Sequence, residues 1–406
     1  MHGSLEVTIA GGGIAGLAAA LAFRRSGCEV TIGERAAQFG PVGAGVLLQA
    51  NGLLVLDSLG LGDEVRSRGA VMPRFALRDR SGKTLLETGL DAHLPPRLWP
   101  VCIHRADLHE VLWQACLRAR VKVHFQHTVA AVEDIDRRPV LVCESPQGTT
   151  RIAGDLIVGA DGVKSAVRDA AGISPERWPV LEGSVQGVAP VSLPADVHGE
   201  YLAGPEACGM LPVRAGSTFW FWGGSSKAVN QVGESDFASW KTDVCNRFPP
   251  MRLVLDGYDS WQGTVRLQHS SVHCETWSSG RVVLIGDAAH AMSPNLGQGA
   301  NCALVDAVAL AACVAEQETK AGLPEALNQF ELGRRPIVDS LQRKGHDEGA
   351  SVMPRWTGYQ SLVNLAVRLA RFTPSSMKRA AVLSLSGLDG REFDLHSAGV
   401  RAPIPW

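Results

Sequence analysis

Three short apolar runs share one pattern: each is followed at once by glycine or aspartate and then by the start of a helix. The runs are residues 5–10, 155–158 and 281–285. Their length and β-branched residues are typical of buried strands. Because the carboxyl ends of parallel strands meet at one edge of a sheet, we expect the turns at Gly11, Asp161 and Asp287 to lie close together. The pattern predicts an α/β fold.

The first run leads into a glycine-rich turn, Gly11-x-Gly13-x-x-Gly16, then a helix and a second strand that ends before Glu34. This order predicts dinucleotide binding: Gly11 forms the tight turn, Gly13 admits a pyrophosphate and Gly16 lets the helix approach the strand. Glu34 stands where an acid accepts hydrogen bonds from a ribose, which disfavours NADP in this site. FAD and NAD both remain open, and a turn that binds nothing is the alternative.

The other two turns also carry polar groups at helix starts. Asp161 either contacts a ligand at the sheet edge or caps the following helix. In the third turn, Pro294, Gly297 and Gly299 delay helix formation until Asn301. We therefore expect free backbone amides there that can face a polar ring or an anion.

Residues 178–272 have a different character, with short β-like runs around an amphipathic helix at 234–248, and residues 75–88 read as a hairpin. Trp220 and Trp222 share one face of a strand, where they either stack on a flat ligand or form core. The sequence thus predicts a discontinuous nucleotide-binding domain, an antiparallel β-sheet substrate domain and C-terminal helices. Their predicted bounds are 1–70, 101–178 and 273–345 for the first, 71–100 and 179–272 for the second, and 346–406 for the third.

Composition narrows the functional classes. The 406-residue chain has a formal charge of −2, which gives no reason to expect nucleic acid as a partner. Its nine cysteines are scattered without a C-x-x-C pair, so we predict no metal site. The first strand begins too early for a signal peptide, and no apolar run reaches the ~18 residues of a transmembrane helix. These features favour a cytoplasmic protein without a transmembrane segment.

The segment from Trp356 to Leu388 carries apolar residues at helical spacing and predicts a C-terminal helical extension. It either covers the substrate domain, forms a contact between copies, or lies on a membrane surface through its basic residues. A packing helix is the favoured interpretation, and the chain is expected to be a monomer or a homodimer. The basic residues are Arg368, Arg371, Lys378 and Arg379.

Four motifs, in order along the chain, resemble those of the FAD-dependent group A aromatic hydroxylases, the para-hydroxybenzoate hydroxylase family of flavoprotein monooxygenases. The resemblance extends to about residue 345 and implies a Rossmann-like FAD-binding domain interleaved with the β-sheet substrate domain. The motifs are Gly11-x-Gly13-x-x-Gly16 with Glu34-Arg35; Arg105-x-x-Leu108; Gly159-Ala160-Asp161-Gly162; and Gly286-Asp287-Ala288-Ala289-His290 through Pro294 and Gly297-Gln298-Gly299.

The resemblance also implies site residues. Candidates near the flavin ring for catalysis are Pro294, Asn295 and His290, and candidates for substrate contact are Arg214, Trp220 and Trp222. The implied cofactor-binding residues are Gly11, Gly13, Ile14, Ala15, Gly16, Glu34, Arg35, Arg105, Val129, Asp161, Gly162, Gly286, Asp287, Pro294, Gly297, Gln298, Gly299, Ala300 and Asn301.

The activity that the resemblance implies is that of a monooxygenase, which uses NADH or NADPH and O₂ to hydroxylate or epoxidise a small aromatic or polycyclic substrate through a flavin C4a-hydroperoxide. A flavin halogenase or reductase on the same fold is one alternative, although Trp220-Phe221-Trp222 continues into glycine rather than the halogenase Trp-x-Trp-x-Ile-Pro motif. A redox-silent FAD-binding protein is another. With three tyrosines in the chain, no tyrosine relay for deprotonating a phenol is evident.

Overall fold

The structure is a computed structural model. It describes residues 4–40, 43–177, 180, 182–232, 236–317, 319–352, 359–388, 393–400 and 402–404. The predicted domain boundary at residues 178 and 179 and the predicted helix starts at Glu234 and Trp356 lie outside the described residues.

The strands fall into two large sheets and three small ones. In chain order they are β1 (Glu6–Ala10), β2 (Glu29–Glu34), β3 (Gly45–Leu48), β4 (Ala70–Val71), β5 (Arg74–Asp79), β6 (Thr84–Gly89), β7 (Val101–His104), β8 (Lys122–Phe125), β9 (Thr128–Glu133), β10 (Val140–Ser145), β11 (Gly148–Ala153), β12 (Leu156–Gly159), β13 (Pro175–Glu176), β14 (Glu182–Ala189), β15 (Gly199–Ala203), β16 (Glu206–Arg214), β17 (Ser217–Ser225), β18 (Thr264–Gln268), β19 (His273–Cys274), β20 (Ser278–Ser279) and β21 (Val282–Leu284).

Helices cover both sheets and form the C-terminal region. In chain order they are α1 (Ile14–Arg25), α2 (Ala50–Ser58), α3 (Gly62–Arg68), α4 (Arg105–Arg118), α5 (Ala166–Ala170), α6 (Ser226–Val232), α7 (Phe237–Arg247), α8 (Arg252–Leu255), α9 (Asp287–His290), α10 (Gly299–Ala315), α11 (Leu323–Val352), α12 (Tyr359–Leu369) and α13 (Ser375–Leu385).

The first large sheet has the order β20-β21-β12-β1-β2-β8, and all of its pairings are parallel except the one between β20 and β21. Its strands are almost continuous apolar runs because α1 packs on the sheet, α10 packs on α1, and all of these elements share the main buried core. The predicted α/β class is confirmed. The expected meeting of the three strand ends is confirmed as well, since Ala10 pairs with Gly159 and Gly159 with Leu284.

The second large sheet has the order β18-β14-β17-β16-β15-β5-β6 and is antiparallel except where β15 meets β5. One face, here called the back, packs under α6, α7 and α8 in a separate core. The opposite face, here called the front, packs against the small sheet β3-β7-β4 of the first domain. The predicted hairpin at residues 75–88 is β5 and β6, paired antiparallel.

The C-terminal region packs onto both domains. The helix α12 lies against β6 of the second sheet. In α13, Val382 and Leu383 are buried in the core of the first domain. Farther on, the backbone carbonyl of Ala398 accepts a hydrogen bond from buried Arg334. The helical extension predicted from the apolar spacing is therefore present in the described part of the region, and it contacts both the sheet domain and the nucleotide-binding core.

Candidate active site

The site begins at the edge where β1, β12 and β21 end side by side. Gly11 follows β1 with φ +98°, a conformation that glycine adopts without strain. A Cβ on Gly11 would lie 2.5 Å from the carbonyl oxygen of Ala160, so the turn after β1 is packed directly against the turn after β12. The strand β12 lies between β1 and β21. Asp161 follows β12, and Gly286 and Asp287 follow β21.

The start of α1 fits a pyrophosphate. A Cβ on Gly13 would meet no atom of the described chain within 4 Å, whereas one on Gly16 would lie 2.0 Å from the carbonyl oxygen of Gly11. Gly16 therefore serves strand–helix packing and Gly13 keeps the approach open. No side chain caps this helix and its first turn has no acid, so the amides of Ile14, Ala15 and Gly16 present a positive dipole end.

Glu34 is held at the end of β2 by backbone amides. Its carboxylate accepts hydrogen bonds from the N–H groups of Gly12 at 2.6 Å and Ala36 at 2.7 Å. These contacts fix one carboxylate beside the glycine turn, where a ribose diol adjoining the pyrophosphate would lie. Neighbouring Arg35 is exposed, and half-buried Val129 is the second residue of β9, two positions after His127, whose N–H donates to the Glu34 carbonyl at 2.8 Å.

Asp161 is engaged as a helix cap. Its carboxylate accepts hydrogen bonds from the Ser165 hydroxyl at 2.5 Å and from the Val167 N–H at 3.1 Å, and burial raises the pKa of the Asp161 carboxyl. The capping role left open by the sequence is therefore present. Adjacent Gly162, at φ +82°, faces open space. A contact between these two residues and the cofactor stays a prediction.

The third turn brings α10 to the same place as α1. A Cβ on Gly286 would lie 3.1 Å from the Cβ of Ala15 and 3.2 Å from that of Ala303, so the first turns of both helices adjoin this residue. Asp287 beside it is exposed at the sheet edge. The start of α10 likewise has no capping side chain and no acid in its first turn, and it follows Gly297 in the left-handed conformation.

The side chains of Gln298 and Asn301 at this helix start bond to other segments and not to the backbone amides of residues 299–301. Asn301 accepts a hydrogen bond from the Gln49 N–H at 2.9 Å and donates to the Leu47 carbonyl at 2.9 Å. Gln298 accepts from the Asn51 side chain at 2.9 Å and donates to the Leu385 carbonyl of α13 at 2.6 Å. Both side chains are buried and fix the loop, so the backbone N–H groups of residues 299–301 are left to contact a cofactor.

His290 is not available for catalysis, which corrects the prediction that placed it near the reacting atoms. Its imidazole is 1% exposed, lies 2.5 Å from the carboxylate of Asp306 and stacks near Trp277. The same carboxylate accepts hydrogen bonds from Arg334 at 3.0 Å and from the Gly286 N–H at 3.1 Å. This buried network supports the Gly286 turn from behind.

Pro294 and Asn295 are exposed in the short turn before α10. The side-chain amide of Asn295 donates to the carboxylate of Glu182 at 3.2 Å and to the carbonyl of Gly345 at 3.1 Å. Because Glu182 begins β14, this turn is attached to the second sheet. A direct catalytic role for Pro294 or Asn295 stays a prediction.

Trp220 and Trp222 lie on the back of the second sheet, which corrects their prediction as substrate contacts. They are 0% and 2% exposed and pack with Trp240 of α7 at ring distances of 6.4 and 6.0 Å. Their indole N–H groups donate to Tyr258 and Glu206. The amphipathic helix α7 covers this face, so both indoles belong to the core.

Two arginines mark the junction of the domains. Arg105 is exposed at the start of α4, and a Cβ on Gly43 would lie 2.9 Å from its side chain. Arg214, at the end of β16, has a side chain that is 58% exposed and lies 3.8 Å from the carboxylate of Asp107. Because Asp107 is two residues after Arg105 in α4, Arg214 is close to the start of this helix. Their roles toward cofactor and substrate stay predictions.

The front of the second sheet supplies candidate contacts that sequence reasoning missed. Phe219 and Phe221 alternate with the two tryptophans and pack with Leu47 of β3. Opposite Phe221 in β14 is Gln186, whose amide donates to the Ser184 hydroxyl at 3.0 Å. The same alternation that paired the tryptophans could have revealed this second face, although it could not tell which face meets the first domain.

His269 completes the polar end of this face. Its Nε2 lies 3.0 Å from the Ser184 hydroxyl, and its Nδ1 is buried without a hydrogen-bond partner among the described residues. Burial lowers the pKa of His269 from 6.5 to about 4, so the ring is neutral at physiological pH. A neutral imidazole can accept a hydrogen bond from an N–H or O–H group.

The low pKa of His269 predicts a pH-dependent stability. As pH falls from 6.5 toward about 4, the unfolded chain takes up a proton on His269 that the folded chain does not. The free energy of unfolding therefore falls as pH is lowered through this window. Above pH 6.5 His269 is neutral in both states and causes no loss of stability. Urea unfolding at a series of pH values should show a weaker decline in the His269→Gln variant. An unchanged pH profile in that variant would contradict the buried neutral ring.

Together these features define a class: a nucleotide-dependent flavoprotein in which a Rossmann-type sheet edge and two uncapped helix starts face an antiparallel domain. The residues fit FAD, because Gly13 leaves room for a pyrophosphate and Glu34 stands at the ribose position. The model of the family described as FAD binding domain matches residues 4–344, and the chain belongs to this family. The resemblance proposed from the motifs is confirmed.

Individual relatives agree with this assignment. The chain is 33% identical over 345 residues to a 2-heptyl-3-hydroxy-4(1H)-quinolone synthase of Mycobacteroides abscessus, covering 82% of this chain and 87% of that protein. It is 33% identical over 344 residues to the Aurachin C monooxygenase/isomerase of Stigmatella aurantiaca, covering 82% and 86%. The solved tetrameric form of 2-methyl-3-hydroxypyridine-5-carboxylic acid oxygenase superposes with a TM-score of 0.78, 26% identity and 99% coverage of both chains.

The protein is thus an oxidoreductase, an FAD-dependent monooxygenase with NAD(P)H as co-substrate, and these predictions are confirmed. The halogenase, reductase and redox-silent alternatives are not supported. The interleaved arrangement of Rossmann-like and antiparallel domains agrees with the solved structure as well.

Proposed function

We propose that the protein uses NAD(P)H and O₂ to transfer one oxygen atom to a ring carbon of a fused heteroaromatic substrate of quinolone size that carries an N–H or O–H group, while the other oxygen atom leaves as water. The observation that carries this proposal is the pairing of an apolar front face with the neutral imidazole of His269. Half-buried Phe221 offers an apolar surface next to buried Phe219, and the neutral imidazole of His269 supplies a polar group at the Ser184 end of the same face. A relative whose name specifies a quinolone, the 2-heptyl-3-hydroxy-4(1H)-quinolone synthase of Mycobacteroides abscessus, supports this substrate class.

The front face adjoins the turn that precedes α10 at two points. At one, Leu47 of β3 packs in the same cluster as Phe221 and its carbonyl accepts the Asn301 amide at 2.9 Å. At the other, Glu182 of β14 accepts the Asn295 amide at 3.2 Å. A ring lying between the front face and this turn would have apolar side chains on one side and the α10 start on the other.

FAD held by the glycine turn, Glu34 and the α10 start would supply the oxygen-transfer chemistry. The chain provides the surroundings. Backbone N–H groups at the α10 start stabilise negative charge that develops on the adjacent ring system. Phe219, Phe221 and Leu47 exclude water from the reacting ring. His269 orients the substrate by accepting its hydrogen bond as a neutral imidazole.

A second candidate is a small aromatic acid, because Arg214 carries an exposed guanidinium at the mouth of the site. Its charge is partly offset by Asp107 at 3.8 Å, which weakens its pull on a substrate carboxylate. We therefore favour the uncharged heteroaromatic ring.

We also propose a cytoplasmic location. All nine cysteines are buried free thiols, a pattern typical of proteins kept in a reducing compartment.

The test is NADH or NADPH oxidation by the purified yellow protein in the presence of 2-alkyl-4(1H)-quinolones, compared with hydroxybenzoates. We expect the quinolones to raise the oxidation rate roughly tenfold or more above the substrate-free rate and to gain one oxygen atom by mass spectrometry. The His269→Gln variant should lose this stimulation, and the Arg214→Gln variant should retain it. Stimulation by hydroxybenzoates alone, abolished in Arg214→Gln, would establish the second candidate instead.

A further inference from the structure

The C-terminal helices expose an unusual number of large apolar side chains. Along α12 and the turn and helix after it, these side chains are exposed by more than half their area. They are Leu362 at 54%, Leu365 at 53%, Leu369 at 56%, Phe372 at 69% and Met377 at 61%. We call this set the apolar ridge. Scattered exposed leucines need no explanation, but five within sixteen positions of one segment form a patch.

The ridge is not the side by which α12 packs. Leu362, Leu365 and Leu369 follow helical spacing and lie along one side of the helix. The half-buried residues of α12 include Val363 and Val367, which lie on another side, and the helix rests on β6. Helix packing therefore does not account for the three leucines, and their side of the helix faces outward.

The charged residues within this segment are all basic, and the acid that faces them belongs to the second sheet: Asp79 of β5, whose pKa the Arg368 charge helps to lower after its contacts with Ser81 and Lys83. Between residues 349 and 388 the sequence holds no aspartate or glutamate, in a chain where acids slightly outnumber bases, 41 to 39. Arg368 and Arg371 are exposed beside the ridge, and the guanidinium of Arg371 lies 4.6 Å from the ring centroid of Phe372. Lys378 and Arg379 follow in α13.

This combination of exposed apolar side chains and flanking bases fits an anionic lipid surface. Apolar side chains enter the interface while arginine and lysine stay at the headgroup level, where anionic lipids attract them. A second copy of the chain fits less well, because a twofold contact places the same patch on both sides, and Arg368 and Arg371 would face equal charges with no acid from this segment to offset them.

We propose that the apolar ridge docks the protein on the surface of membranes that contain anionic phospholipids. The docking is peripheral: among the residues that the structure describes, no helix is both long and apolar enough to cross a bilayer. The helix α12 rests on β6 of the second sheet, so docking places the substrate domain beside the lipid. This inference stands independently of the substrate assigned to the active site.

Sedimentation of the FAD-loaded full-length protein with sucrose-filled vesicles tests the proposal. We expect binding to vesicles that contain phosphatidylglycerol, little binding to phosphatidylcholine alone, and release as salt is raised. The double variant Leu365→Glu/Leu369→Glu should show a roughly tenfold lower partition, and Arg368→Glu/Arg371→Glu should lose the preference for phosphatidylglycerol. The matched control is Leu332→Glu, which alters a leucine that is 57% exposed on α11, outside the ridge, and should bind as the parent does.

Flavin content and circular dichroism confirm that each variant is folded before it is compared. Equal partition of the parent and the Leu365→Glu/Leu369→Glu variant overturns the proposal. So does a parent protein that binds none of the vesicles and forms dimers that the same double variant abolishes, because the ridge is then a contact between copies.

Discussion

Replacing Asp306 with asparagine is expected to lower the free energy of unfolding by about 3–5 kcal/mol, because it leaves the buried guanidinium of Arg334 without a counter-charge. Both side chains are almost fully buried, at 0% and 1% exposure. Burial alone would raise the pKa of Asp306, but the charges of His290 and Arg334 lower it, so the native site contains the carboxylate. Urea unfolding followed by circular dichroism measures the change.

The control for this variant is Asp63→Asn, which removes a fully exposed carboxylate that lies 3.5 Å from Arg66. An exposed ion pair contributes little, so this change should leave stability almost unaltered. The flavin should also be held less firmly in Asp306→Asn, because the carboxylate accepts the Gly286 N–H at 3.1 Å. If both variants unfold at the same urea concentration as the parent, the buried network does not stabilise the fold.

The Gly13→Val variant is expected to bind FAD about a hundredfold more weakly, equivalent to ~2.7 kcal/mol, while keeping its fold. A Cβ at this position meets no atom of the described residues within 4 Å, so the protein tolerates the added side chain, which projects into the space that a pyrophosphate needs. Flavin absorbance of the purified protein and titration of the apoprotein with FAD measure the loss.

Gly257→Val is the matched control. Gly257 lies in the second domain with negative φ, and a Cβ there would meet its nearest atom at 3.9 Å. It should retain full flavin occupancy. Gly16→Ala is a useful contrast, because its Cβ would lie 2.0 Å from the Gly11 carbonyl and should disturb the fold itself. Full flavin occupancy in Gly13→Val would show that the pyrophosphate does not pass this turn.

The nucleotide-binding edge could be predicted from sequence because its cause is local. Buried parallel strands are apolar throughout, and the turns that follow them need glycine or a short polar residue, so Gly11, Asp161 and Asp287 stand out in the sequence. Parallel pairing then brings those turns together without any further information.

The substrate side was less predictable because it depends on which face of a strand meets the other domain. Alternation separates Trp220 and Trp222 from Phe219 and Phe221, but either pair fits an apolar core. The tryptophans form the core face because α7 packs over them, which leaves the phenylalanines on the face that meets the first domain. His269 contacts Ser184 from 85 positions away, a pairing that no local pattern indicates.

His290 shows a different limit. It lies in a motif near the cofactor, and its distance from the reacting atoms depends on Asp306 and Arg334, which approach from two separate helices. The motif shows which residues adjoin His290 along the chain, but it does not show the partners that hold its ring in the core.

The hydrogen bond from Gln298 to the carbonyl of Leu385 has a consequence for fragments of this protein. The family match stops at residue 344, well before α13, and would suggest a trimming point there. In a chain that ends at residue 344, the Gln298 carboxamide would lose the Leu385 carbonyl that accepts its hydrogen bond at 2.6 Å. The apolar core surface that Leu383 covers would also become exposed to solvent. The residues after 344 thus stabilise the turn that precedes α10. We expect a shortened enzyme to lose flavin, so its flavin content should be measured before its turnover.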